Sequence, residues 1–245
     1  MVDRYFVEDR IAEPRGHGTT VRLSGAEAHH LIHVMRAKPG GQVVLFDGSG
    51  AEFPARVEKI GRSEVDLAVL GRQSVDRELP VELTLGVALP KGDRQRWLVE
   101  KAVELGVGRI VPLRTERSVA QPEENALARL RRTVIEASKQ CGRNHLMEMA
   151  PPQAWPDFVA AAKRCPHRLL AHPCRGDSAS RPLADAGPTS PPEPVAVAVG
   201  PEGGLTTHEV ALAIAAGWQT VDLGPRILRV ETAAFLLVAL VTRGR

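Results

Sequence analysis

Two glycine-centred segments near the C-terminus carry residue types that can do chemistry. The first, Gly200-Pro201-Glu202-Gly203-Gly204, follows the apolar run Val195 to Val199 and precedes Leu205-Thr206-Thr207-His208-Glu209. The second, Leu223-Gly224-Pro225-Arg226-Ile227-Leu228-Arg229-Val230-Glu231-Thr232-Ala233, follows Thr220-Val221-Asp222. In each, a β-branched run enters a glycine turn and then a helix start, which places exposed backbone N–H and C=O groups at the carboxyl ends of strands. In open α/β sheets that edge binds ligands. Neither segment has the Gly-Lys-Ser/Thr ending of a triphosphate loop or the Gly-x-Gly-x-x-Gly of a dinucleotide fold, so a nucleoside read by backbone groups fits better. In the second segment Ile227 and Leu228 form an apolar wall between Arg226 and Arg229, with Glu231 and Thr232 in the next helical turn. Plainer readings stand beside these. The glycines serve a tight turn, Glu231 complements a helix dipole, and the arginines are solvated.

The elements that must position these loops follow from periodicity. After a polar break around Gly71 to Pro80, strands and helices alternate. The strands are expected at Val81 to Leu89, Arg109 to Leu113, Arg168 to His172, Val195 to Val199 and Thr220 to Leu223. The helices are expected at Asp93 to Leu105, Glu123 to Cys141, Trp155 to Lys163, Thr206 to Ala216 and Glu231 to Thr242. Asp93 is a possible N-cap, Gly106 sits at C′, and Thr206 with Glu209 spells a capping box. On the second of these helices Leu127, Leu130, Val134, Ala137 and Cys141 share a face, with Arg132, Glu136, Lys139 and Arg143 opposite. Such alternation specifies a parallel sheet covered on both faces. Gly187 to Pro194 is too proline-rich for helix or central strand and reads as a surface loop.

Before the break, short runs at Gln42 to Phe46, Glu52 to Val57 and Val65 to Val69 are separated by glycine turns, with one helix at Ala26 to Met35 behind Ser24 and Gly25. This is the texture of a small β-rich barrel. The expected organisation is residues 1–72 as a barrel, 73–80 as a linker and 81–245 as an α/β domain.

Composition narrows the class. The chain has 245 residues, 43% of them hydrophobic, enough for one large domain or two modest ones. Cys141, Cys165 and Cys174 have no paired or zinc-type spacing, which fits a reduced, cytoplasmic setting. The N-terminus lacks an apolar signal core, and no apolar stretch reaches bilayer length. His29, His30 and His33 have no carboxylate or cysteine at metal-ligand spacing, so no metal is expected. The formal charge of +3 permits a polyanionic partner without requiring one. For gripping RNA phosphate, the basic residues to consider are Arg4, Arg36 and Lys38 in the first part. In the second they are Lys91, Arg94, Arg132, Lys139 and Arg143. Each also reads as a solvated charge. With 4% aromatic residues there are few stacking platforms, so backbone and shape recognition dominate.

Taken together, GPEGG, LGPRILRVETAA, Glu104-Leu105-Gly106-Val107 and Gln140-Cys141-Gly142-Arg143-Asn144 resemble the ribosomal-RNA methyltransferases that modify N3 of a uridine in small-subunit (16S) rRNA, within the knotted SPOUT class. The resemblance spans nearly the whole chain: Arg4-Tyr5-Phe6 and His30 to Arg36 look like that family's PUA-like RNA-binding barrel. Met35, Lys139 and the proline-rich loop depart from its pattern.

The resemblance implies an α/β SPOUT domain with a deep trefoil knot, a homodimer, and S-adenosylmethionine as cofactor. Its pocket would be made by His172, Val199, Gly200, Pro201, Glu202, Gly203, Leu223, Gly224, Arg226, Ile227, Leu228 and Thr232. Uridine N3–H is a weak acid, so the reaction needs proton removal or anion stabilisation. Arg229 would stabilise the uracil oxyanion, and Glu231 would accept the proton unless it is locked in an ion pair with Arg229 or Arg226. Two other classes remain open at this stage: a non-catalytic RNA-binding assembly factor, which could dispense with LGPRILRVET, and a nucleotide-dependent metabolic enzyme, for which the phosphate fingerprint is missing.

Overall fold

The computed structural model describes residues 3–13, 19–118, 124–173 and 193–243. They divide into two compact units, Met1–Glu78 with Ser138–Leu146, and Leu79–Ala137 with Met147–Arg245. Cys174 and residues 187–192 of the proline-rich loop lie outside the described residues, as does most of the connection on which the implied knot depends.

Among the described residues of the first unit, strands β1 (Arg4–Phe6), β2 (Thr19–Leu23), β3 (Gln42–Phe46), β4 (Ala51–Ile60), β5 (Val65–Val69) and β6 (Gln73–Ser74) form one sheet. Its order is β1-β3-β4-β5-β2, with β6 paired to β4. The alternation of β5 places Val65, Leu67 and Val69 in a core shared with Tyr5, Leu45 and Phe53. The expected helix over Ala26 to Met35 divides. A short α1 (Gly25–His29) passes into a π-helical turn, His30–Val34, and Arg36 follows with φ 51°.

Segment Ser138–Leu146, expected to belong to the second domain, groups with the first because polar contacts tie it there. Asn144 accepts a hydrogen bond from Arg4 Nη2 at 2.6 Å and donates to the Val75 carbonyl at 2.9 Å. Arg77 donates to the Gly142 carbonyl and to Glu52. The stretch expected to be a linker, 73–80, therefore contains a paired strand and Arg77. Burial alone would raise the Glu52 carboxyl, but hydrogen bonds from Arg77 and Arg4 outweigh it and hold the group below its ordinary range.

In the second unit the parallel strands are β7 (Leu83–Val87), β8 (Arg109–Arg114), β9 (Glu148–Met149), β10 (Gln153–Ala154), β11 (His167–Ala171), β12 (Val195–Val199) and β13 (Gln219–Val221), in the order β10-β8-β7-β12-β11-β13 with β9 on β8. The helices are α2 (Asp93–Glu104), α3 (Glu124–Cys141), α4 (Trp155–Ala161), α5 (Thr207–Ala215) and α6 (Val230–Thr242). All five residues of β12 are buried, as a central parallel strand requires. Gly106 ends α2 with φ 83°, and a Cβ there would sit 2.7 Å from Leu79. The N-cap of α2 is Gly92 rather than Asp93, which falls in the first turn. The α5 capping box forms in full between Thr206 and Glu209.

Candidate active site

Register builds the site. Ala171 is paired with Val199 of β12 and with Val221 of β13, so three neighbouring parallel strands end level. The residues that follow them must share one edge. They line a cavity of about 330 Å³, at the lower end of the usual range for small-molecule sites.

From the first loop the lining takes Val199, Gly200, Pro201, Glu202, Gly204 and Leu205. From the second it takes Asp222 to Leu228 with Val230 and Ala233, and after β11 it takes His172 and Pro173. The first loop closes through a Gly204 N–H to Pro201 carbonyl bond at 2.8 Å, with Gly204 at φ 71°. The second turns on Gly224, at φ 106°, whose N–H donates to Asp222 Oδ1 at 2.8 Å. Among the described residues the amides of Glu202, Ile227 and Leu228, which line the cavity, make no backbone hydrogen bond, so they remain as donors for a ligand. Apolar walls and donor amides suit a heteroaromatic nucleoside.

Of the residues expected at the pocket, His172, Val199, Gly200, Pro201, Glu202, Leu223, Gly224, Arg226, Ile227 and Leu228 line it, while Gly203 and Thr232 do not. Ile227 is 95% exposed and forms the rim rather than the wall. Ala171, Leu205, Asp222, Val230 and Ala233 were missed. Asp222 directly follows β13, a position at which β/α sites place side chains, and was the one that spacing could have offered.

Arg229 is exposed at the N-cap of α6 and has no side-chain cap bond. Glu231 is placed otherwise than expected. It is 3% exposed, does not line the cavity, and pairs with Arg94 at 3.7 Å rather than with Arg229 or Arg226. A carboxylate so enclosed is poorly placed to accept a proton from a base in the pocket.

The expected phosphate-gripping residues also separate. Arg36, Lys38, Lys91 and Arg132 are exposed. Arg4 and Arg143 are instead enclosed in ion pairs with Glu52 and Glu78, and Lys139 pairs with Glu27 at 2.9 Å beneath the Tyr5 ring. Sequence reasoning placed Arg143 on a helix face, but α3 stops at Cys141 and Gly142 turns the chain inward at φ 85°. A separate cleft of about 670 Å³ between α2 and α3 is lined by Arg96 and Arg129 as well as Arg132. Among the described residues no three His, Cys, Asp or Glu side chains are grouped to hold a metal ion, and no helix is long and apolar enough to cross a membrane.

Comparison with known proteins bears on this geometry. Residues 77–242 match the family model of an RNA methyltransferase domain, and residues 23–70 that of an RNA methyltransferase PUA domain. The ribosomal RNA small subunit methyltransferase E of Synechocystis is 37% identical over 221 residues, covering 90% of this chain and 72% of that protein. The Bacillus subtilis protein of the same name is 28% identical over 241 residues, 95% and 93% of the two chains. Among solved structures, ribosomal RNA small subunit methyltransferase E from Neisseria gonorrhoeae bound to S-adenosyl methionine superposes with a TM-score of 0.84 at 30% identity, covering 98% of this chain and 96% of that one. A putative methyltransferase from Legionella pneumophila in complex with the same cofactor gives 0.87 at 30% identity over the same shares.

Proposed function

Because the chain belongs to the RNA methyltransferase family of these ribosomal RNA small subunit methyltransferases, we propose that it transfers the methyl group of S-adenosylmethionine to N3 of a uridine in 16S rRNA, in the cytoplasm. The observation that carries this reading is the level ending of β11, β12 and β13, which assembles the donor pocket from both glycine loops.

S-adenosylmethionine supplies a sulfonium-activated methyl group. The chain's residues bind and orient it. Leu205, Leu223, Leu228 and Ala233 would give the adenine an apolar wall, and the amides of Ile227 and Leu228 would offer donors to its edge. Asp222 would face the donor's positive charge, while Glu202 is ion-paired with Arg94 at 3.2 Å. Excluding water and aligning the acceptor nitrogen with the methyl carbon supply much of the acceleration. As the N3–methyl bond forms and the sulfonium–methyl bond breaks, S-adenosylhomocysteine would leave and the N3 proton would pass to solvent water, with Arg229 stabilising the negative charge on the uracil oxygens.

On the RNA side, Arg36 and Lys38 on the first unit, and Lys91, Arg96, Arg129 and Arg132 on the second, are the exposed cations for phosphate. Beside Arg36 stand the exposed Val34 and Met35, an apolar pair suited to a base face. We also assign a homodimer. Trp97 is 45% exposed and packs edge-on against Phe235 at 4.8 Å, and Phe235, Leu236 and Leu240 leave the outer face of α6 incompletely covered. A second copy of the chain would cover it.

Calorimetric titration of the purified protein with S-adenosylmethionine tests the pocket. Saturable binding is expected, weakened at least about ten-fold by Leu228→Asp, which sets a carboxylate into the apolar wall. Unchanged binding by that variant would place the donor elsewhere.

A further inference from the structure

We propose that Arg94 is a positioning residue of the donor site, bridging Glu202 at the pocket to the buried Glu231 on α6. The inference rests on the pocket being the S-adenosylmethionine site. Sequence reasoning gave these three residues three separate roles: phosphate contact, cofactor contact and proton acceptor.

Arg94 Nη2 lies 3.2 Å from Glu202 Oε1, and Nη1 lies 3.7 Å from Glu231 Oε2. Glu231 Oε2 is buried and accepts no hydrogen bond among the described residues. A carboxylate taken out of water needs a cation, and among the described residues Arg94 provides it. One guanidinium presents a separate nitrogen to each acid, which a lysine ammonium cannot reproduce in the same geometry.

The consequence falls on the first glycine loop. Glu202 sits in the turn closed by Gly204 and Pro201, and Arg94 fixes its side chain from α2. On the far side, Arg117 Nη1 donates to the Gly203 carbonyl at 2.9 Å. The loop is therefore clasped by two arginines from different segments. Arg94 is the one that sets a pocket-lining carboxylate, and through Glu231 it links that carboxylate to the first turn of α6.

The test uses the full-length protein with two readouts besides turnover. S-adenosylmethionine affinity is measured by calorimetry, and affinity for 16S rRNA is measured across a salt series. Arg94→Met is expected to weaken donor binding about ten-fold or more, with RNA affinity and its salt slope unchanged. Arg94→Lys should recover only part of the loss. In the Arg94→Met background, Glu202→Gln should add less than about two-fold, because the arginine acts through that carboxylate. Arg94→Met with Glu231→Gln removes the stranded buried charge, so a wild-type melting temperature with donor binding still weak would separate positioning from folding. Wild-type donor affinity in Arg94→Met, together with weaker RNA binding and a shallower salt slope, would overturn the proposal in favour of a phosphate contact. Failure of the unmodified protein to bind S-adenosylmethionine would remove the pocket reading and this inference with it.

Discussion

Replacing Arg229 by alanine is expected to lower the rate of methyl transfer by about 10²- to 10³-fold while leaving donor affinity within about three-fold of wild type. The expectation starts from local structure. Helix N-caps favour Ser, Thr, Asp or Asn, whose side chains satisfy the first free amides. Here an arginine holds that position and makes no cap bond. A residue that breaks a local rule without local compensation is a candidate for function. Arg229 stands between Leu228 and Val230, both of which line the cavity, yet its own side chain is exposed and outside the lining. Among the described residues it has no carboxylate partner, in contrast to Arg94. Its charge is therefore available to an incoming base and is not needed to hold the donor. Negative charge grows on the uracil oxygens only as N3 loses its proton, so the loss belongs in the transition state and appears in kcat. Single-turnover kinetics with calorimetry on the same preparation checks this. A variant that transfers methyl at the wild-type rate would remove Arg229 from the chemistry.

The second large effect concerns the scaffold. Gly86 lies in the middle of β7, where a Cβ would come 2.4 Å from Cζ of Phe158. That ring cannot readily retreat, since Phe158 is buried against Trp155 and Trp218 at ring separations of 6.2 and 5.6 Å. Gly86→Ala therefore overpacks the core, at a cost of about 1–3 kcal/mol, or a fall in melting temperature of roughly 2–10 °C for a chain of this size. Combining it with Phe158→Leu should return part of the loss. An unchanged melting temperature in the single variant would mean that the aromatic cluster has room to adjust.

How far the sequence foretold this molecule differs from place to place. Strands β3, β5 and β12 match the ranges read from hydrophobic runs, and α2, α3, α5 and α6 match those read from helical periodicity to within two residues at each end. The glycine loops were legible because strand, turn and helix start succeed one another within a few residues. Most of the cavity lining followed from them. Less legible were features that depend on partners far along the chain. Arg4 and Asn144 are 140 residues apart, so nothing local announced that Arg4 would be consumed in an internal network. Lys139 and Arg143 fell to the same cause. Glu231 was read as the proton acceptor, with Arg229 or Arg226 as the cations that could lock it, whereas its spatial neighbour is Arg94, contributed by α2. Gly86 gave no sign of the aromatic ring facing it, because that contact arises only when α4 packs on the sheet.

The most direct measurement is to incubate the purified protein with labelled S-adenosylmethionine and small ribosomal subunits lacking their native base methylations, digest the RNA, and identify the labelled nucleoside. Label in 3-methyluridine at a single position is the predicted result. Label in any other nucleoside, or none while the protein still binds the subunit in a salt-dependent way, would contradict the account and point to a different acceptor or to a non-catalytic role in assembly.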